Sequence, residues 1–127
     1  MRILVADDSN FMRGQIIRML KAKLPQAEID DAADGEVAVD KFSQDSYDLV
    51  LLDLLMPKIN GDGALKRIRE MSQDVLVVIL SADVQKMTRE DLLVSGADLF
   101  LNKPISMEKV DQIINLLQTR GIATEEV

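Results

Sequence analysis

No histidine and no cysteine occur anywhere in these 127 residues, and those two absences remove most of the familiar catalytic repertoire. Without imidazole there is no Ser-His-Asp triad and no histidine metal ligand, and the chain cannot itself carry phosphohistidine. Without thiol, cysteine nucleophiles, thiolate metal sites and disulfides are excluded. No apolar run approaches the ~20 residues that a membrane helix requires. Met1-Arg2 leads straight into the strand-like Ile3-Leu4-Val5, so no signal peptide and a cytoplasmic location are expected. Nor is there an excess of positive charge. Lys and Arg number 15 against 22 Asp and Glu, and the net charge of -7 argues against a broad nucleic-acid footprint. What remains is carboxylate, hydroxyl and ammonium chemistry on an ordinary globular chain, 47% hydrophobic and 29% charged, of a length that suits one domain.

The most informative stretch is Leu49-Val50-Leu51-Leu52-Asp53-Leu54-Leu55-Met56-Pro57, an apolar run holding one acid. Its branching, and its closure by Pro57 and a Gly61-Asp62-Gly63 turn, predict a strand buried on both faces. A lone carboxylate leaves water only at high cost. Asp53 is tolerable there if it sits at the strand's exit, facing a crevice, beside a cation.

The rest of the chain repeats this pattern of strand and helix. Arg2 to Ala6 reads as strand one, ending at Asp7-Asp8-Ser9. Ser9 or Asn10 then caps a helix with Met12, Ile16, Met19 and Leu20 on its apolar face, stopped by Pro25. Ala27 to Ala32 is a weak second strand, and Glu28, Asp30 and Asp31 place it at an edge. Asp34-Gly35 opens a helix carrying Val37, Ala38 and Phe42; Leu49 to Asp53 is strand three; a third helix carries Leu65, Ile68 and Met71. Val75 to Leu80 delivers Ser81 at its exit, and Lys86 to Ser95 reads as a more polar helix with Met87, Leu92 and Leu93. Leu99-Phe100-Leu101 exits through Asn102-Lys103-Pro104, and Ser106 caps a last helix with Met107, Val110, Ile113, Ile114 and Leu117.

Five alternations of strand and helix mean an α/β, three-layer architecture, a parallel sheet with helices on both faces. Right-handed crossovers bring every strand's carboxyl end to one edge, where ligands of such folds bind. The exits there supply Asp7, Asp8, Asp53, Ser81 and Lys103. Taken singly, each has a plain explanation as a loop acid, a strand terminator or a surface lysine. Taken together they describe a phosphoryl site. Clustered carboxylates call for a cation, and oxygen-only ligands suit Mg²⁺. A lysine and a hydroxyl could hold phosphoryl oxygens while a carboxylate attacks phosphorus in line.

With these residues in place, the chain resembles the receiver domain of two-component response regulators, of the stand-alone chemotaxis type. The resemblance rests on Asp7-Asp8, on Asp53 with Met56-Pro57 and Gly61, on Ser81-Ala82 and on Lys103-Pro104, and it spans Arg2 to Leu117. It implies a flavodoxin-like five-stranded sheet in the order 2-1-3-4-5, with residues 1–120 as the receiver domain and 121–127 as a short tail. It implies Asp53 as phosphoacceptor and Asp8, Asp53 and the backbone carbonyl of Leu55 as Mg²⁺ ligands, with Asp7 in or just behind that shell. Ser81 and Lys103 would contact the phosphoryl oxygens, and the bond before Pro104 would be cis. The implied partners are a histidine kinase or histidine phosphotransfer protein and a downstream protein target, with no nucleic acid and no membrane insertion. The protein would be no enzyme beyond its own phosphorylation and dephosphorylation. Two positions depart from the family pattern: Phe100 stands where many relatives carry Tyr, and Ile105 where Phe is common. Ser81 and Phe100 are the expected switch.

Two other classes compete with this reading. An aspartate-nucleophile phosphatase generally wants a second acid two residues past the nucleophile, where this chain has Leu55, and a cap domain. A flavin-binding electron carrier cradles phosphate in a hydroxyl-rich first loop, where Asp7-Asp8 would repel it. Gly61-Asp62-Gly63 is expected as a turn before a helix, the methionines at 12, 19 and 71 as core, and Lys66-Arg67 with Arg69 as a solvated basic face.

Overall fold

The computed structural model describes residues 1–82, 89–122 and 124, the side chains of 89, 92 and 93 excepted. In chain order the elements are β1 (Arg2–Ala6), α1 (Asn10–Lys23), β2 (Glu28–Ala32), α2 (Gly35–Gln44), β3 (Leu49–Leu52), α3 (Gly61–Met71), β4 (Leu76–Ser81), α4 (Arg89–Ser95), β5 (Leu99–Asn102) and α5 (Met107–Thr119). All neighbouring strands run parallel, in the order β2-β1-β3-β4-β5. The charged β2 is an edge strand, as its acids predict.

Successive strand residues point to opposite faces, so the continuous apolar runs feed two cores at once. Ile3, Val5, Leu49, Leu51, Val78 and Leu80 pack with Ile16 and Leu20 of α1 and Val110, Ile113 and Leu117 of α5. Leu4, Val50, Leu52, Val77 and Ile79 pack on the other face with Ala38 and Phe42 of α2 and Ala64, Leu65 and Ile68 of α3. Ile105, the second departure from the family pattern, is buried in the first of these clusters.

Helix starts follow from side-chain caps. Ser9 accepts from the Met12 N–H, Asp34 from Val37, Asn60 from Gly63 and Ser106 from Lys109, each satisfying an amide that the first turn leaves open. Several expectations need correction. β3 stops at Leu52, one residue short, so Asp53 stands just past the strand. Gly61-Asp62-Gly63 is the first turn of α3 itself, entered through the Asn60 cap. Met71 and Met107 are exposed: each is a terminal residue of its helix, where no neighbour remains to cover the apolar stripe. Arg69 is not solvated. Its guanidinium donates to the carbonyls of Gly96 and Val75 and pairs with Asp98 at 2.8 Å, tying α3 to the start of β5. Residues 86–88 of the expected fourth helix, with Met87, lie outside the described residues, as do the side chains of Leu92 and Leu93.

Candidate functional site

Three strand ends meet at the carboxyl edge of β1, β3 and β5. The Asp7 N–H donates to Ala32 O at 3.1 Å and the Asp53 N–H to Ala6 O at 3.0 Å, which extends the sheet's hydrogen bonding by one residue into each acid. The Lys103 N–H does the same to Ser81 O at 3.0 Å. Backbone pairing therefore sets where the three side chains begin. The Lys103–Pro104 bond is cis.

Asp7, Asp53 and Ser81 are the buried polar side chains among the described residues, only 1%, 6% and 1% exposed. Buried carboxylates need a partner, and Lys103 supplies it. Its Nζ donates to Asp53 Oδ2 at 2.9 Å and lies 2.8 Å from Asp7 Oδ2. Burial alone would lower the Lys103 ammonium, but the contacts to Asp7 and Asp53 outweigh it and hold the pKa above the ordinary lysine value. Asp53 Oδ1 accepts from the Leu55 N–H at 3.3 Å, and Asp7 Oδ1 from the Ser9 N–H at 2.9 Å.

Asp8 is exposed, and one carboxylate oxygen from each of Asp7, Asp8 and Asp53 lies within 4.8 Å of the others. Three carboxylates against one ammonium leave two formal negative charges. Asp7 Oδ2, although close to Nζ, is buried without a directed hydrogen bond. A charge of minus two, a buried Asp7 oxygen held only by its ion pair, and hard oxygen donors with a water-facing member fit a small divalent cation such as Mg²⁺.

Close backbone packing shapes the loop beyond Asp53. A Cβ on Gly61 would overlap the Asp53 carbonyl oxygen and Leu54 Cα, so only glycine lets α3 start this near the site. Leu55 projects outward, 64% exposed. Phe100 is half-buried beside the second core cluster, in register with Ile79.

The structure thus brings Asp7, Asp8, Asp53 and Lys103 into one cluster, with Leu55 bound to Asp53 through its backbone and Ser81 buried at the neighbouring strand end. Sequence reasoning passed over Arg13. Its guanidinium donates to Asp7 O at 2.7 Å and to Asp31 Oδ2 at 2.8 Å, bracing the acidic loop from α1. The available signal was an arginine one turn into the helix that follows two adjacent acids.

Among the described residues no helix is long and apolar enough to cross a membrane. The family model of the response regulator receiver domain matches residues 3–115. The chain is 34% identical to the chemotaxis protein CheY of Bacillus subtilis over 114 residues, covering 90% of this chain and 94% of that one. Among solved structures, response regulator TrrA of Thermotoga maritima, in complex with Mg²⁺ and BeF, is similar with a TM-score of 0.79 and 34% identity, over 91% of this chain and 97% of that one. CheY of Borrelia burgdorferi, crystallised with CheX, BeF3 and magnesium, gives 0.80 and 33%, over 93% and 87%. The acid cluster, the parallel five-stranded sheet and these likenesses agree, and the chain belongs to the response regulator receiver domain family.

Proposed function

We propose that this chain accepts a phosphoryl group on Asp53 from the phosphohistidine of a histidine kinase or histidine phosphotransfer protein, in a Mg²⁺-dependent reaction, and signals through an altered protein-binding surface. One observation carries the reading. A buried carboxylate stands at a strand exit with an ammonium 2.9 Å away and two further carboxylates beside it. An oxygen of Asp53 attacks phosphorus while the donor's P–N bond breaks. The electron pair returns to the imidazole, and an acyl phosphate remains on Asp53. Asp8, Asp53 and the Leu55 backbone carbonyl would hold Mg²⁺, with Asp7 beside them. When bound, the metal supplies charge neutralisation at the phosphoryl oxygens. Lys103 exchanges part of its contact with Asp53 for a phosphoryl oxygen, and Ser81 donates a hydrogen bond to another. Relatives crystallised with magnesium and a beryllium fluoride support this assignment.

The output is assigned to Ser81 and Phe100. Movement of Ser81 toward the phosphoryl group opens space behind β4, and the half-buried Phe100 ring turns into it. The relative that was crystallised with CheX supports a protein target. The reading carries a cytoplasmic location and no contact with nucleic acid.

Mixing the protein with Mg²⁺ and acetyl phosphate tests it. The expected result is one acid-stable, base-labile adduct per chain, mapped to Asp53, absent in Asp53→Asn and slowed severely in Asp8→Ala. Labelling of Asp53→Asn at the wild-type rate would place the acceptor elsewhere. Continuous turnover of external phosphoesters would favour a phosphatase.

A further inference from the structure

We infer that Lys109 is a positioning residue: its ammonium grips the backbone on both sides of Lys103 and so holds the Lys103 side chain on Asp53 and Asp7. The inference rests on the proposed role of Asp53 and adds a residue outside its immediate site. Lys109 Nζ donates to the backbone carbonyl of Asn102 and, at 2.9 Å, to that of Pro104. These are the residues immediately before and after Lys103.

Lys109 occupies an unfavourable place for a cation. It lies in the first turn of α5, its own N–H donating to the Ser106 cap at 3.3 Å. The open amides there make that helix end partially positive, so an ammonium is disfavoured. A residue that breaks a local rule calls for a compensating contact, and the two carbonyls provide it. Each is an acceptor left over where β5 ends.

The geometry makes the grip consequential. On one side the Lys103 N–H is fixed to Ser81 O by the last rung of the sheet. The side-chain oxygen of Asn102 is buried without a hydrogen-bond partner and tethers nothing. Beyond that rung, Lys109 is what ties the 102–104 corner to α5 through polar contacts among the described residues. Lys103 reaches Asp53 from 50 residues away in sequence, so a small shift of this corner moves Nζ out of hydrogen-bond range of both acids. Lys109 touches neither Asp53 nor Asp7 in any described hydrogen bond or ion pair. It acts through Lys103.

Lys109→Met keeps the aliphatic stem and removes the donors. In the unphosphorylated protein, the exchange of the Lys103 ammonium protons with water, followed by ¹⁵N NMR, is expected to speed up about tenfold, while the protection of the Leu51 amide in β3 stays as in wild type. Unchanged Lys103 exchange in the folded variant would overturn the inference. If Lys109→Met loses the Leu51 protection, Lys109→Gln serves the same comparison. A double-mutant cycle gives an independent reading. Labelling by acetyl phosphate is expected to slow about tenfold on Lys109→Met in the wild-type background and not at all in a Lys103→Met background. An equal loss in both backgrounds would mean a merely structural role. Should the wild type take no phosphoryl group, the proposed function fails, and the exchange measurement alone still decides the role of Lys109.

Discussion

Lys103 Nζ stands 2.9 Å from Asp53 Oδ2 and 2.8 Å from Asp7 Oδ2, one ammonium shared by two buried carboxylates. Such a trio carries a formal charge of minus one with the cation and minus two without it. Truncating one partner of a buried ion pair leaves the other charges uncompensated in a poorly solvated place.

Lys103→Met is therefore expected to destabilise the protein by about 3 kcal/mol in chelator. Mg²⁺ should restore more stability to the variant than it adds to wild type, because a bound dication replaces the lost charge. Urea unfolding of both proteins, with chelator and with Mg²⁺, makes the comparison. An equal Mg²⁺ increment in both would show that Lys103 and the metal do not answer the same carboxylates.

A second network lies at β1 and β2, away from the acid cluster. Tyr47 donates to Asp30 Oδ2 at 2.7 Å, Arg2 Nε donates to the same oxygen at 3.1 Å, and the Arg2 guanidinium lies over the Tyr47 ring, 5.6 Å from its centre. Burial, then the hydrogen bond and charge of Asp30, push the phenol from 10.0 up to about 12. The neutral form is thus favoured by folding. Its contribution is whole below pH 10 and is lost as the pH rises toward 12, an effect of about 2–3 kcal/mol. Tyr47→Phe should lack this alkaline loss and should cost about 1 kcal/mol near neutral pH. The chain has one Tyr and no Trp, so tyrosinate absorbance reports this residue alone. Ionisation of the folded protein near pH 10 would refute the claim.

Legibility in the sequence followed burial. The strands of a parallel sheet covered on both faces must be apolar throughout, so Val50 to Leu52 and Val77 to Leu80 announced themselves, and their exits led to Asp53 and Ser81. Asp30 and Asp31 marked β2 as an edge for the converse reason. Properties set by distant chain were hidden. Arg69 looks like any basic residue on an exposed helix face; what buries it is Gly96 and Asp98, 27 and 29 residues on. Gly61 suggested a turn, although its need for no side chain comes from the Asp53 carbonyl pressed against it. Met71 and Met107 kept helical spacing but fell at helix ends, beyond the cover of the core.

Phe100 offers a direct test of the proposed switch. It is half-buried now, so further burial of the ring on phosphorylation has room to occur and is worth about 1–2 kcal/mol, part of the full value for a phenylalanine. With fluorophenylalanine incorporated, the ¹⁹F resonance of Phe100, assigned through Phe100→Leu, should shift when Asp53 is labelled. Phe42, on α2 and stacked on Tyr47, serves as the comparison resonance. An unmoved Phe100 signal in fully labelled protein would make it a static residue of the second core cluster.

The lifetime of the proposed acyl phosphate is expected to turn on Leu55. Its N–H reaches Asp53 Oδ1 at 3.3 Å, so its side chain begins beside the proposed nucleophile, yet that side chain is 64% exposed and not fastened into the core. Hydrolysis requires a water in line with the Asp53–phosphorus bond. An apolar side chain here can obstruct that water and cannot orient it, while Asp83, two residues past Ser81 as Leu55 is two past Asp53, lies outside the described residues. Slow loss of phosphate is expected for wild type. Leu55→Asn should lose it about tenfold faster, a change of about 1.4 kcal/mol in the barrier, because an amide can hold and aim the water. Leu55→Ala separates the two effects: it unblocks the path without aiming anything. Acceleration in both variants means obstruction dominates, and acceleration in Leu55→Asn alone means orientation does. If neither decays faster than wild type in a chase with excess chelator and no phosphodonor, Leu55 does not govern the approach of water.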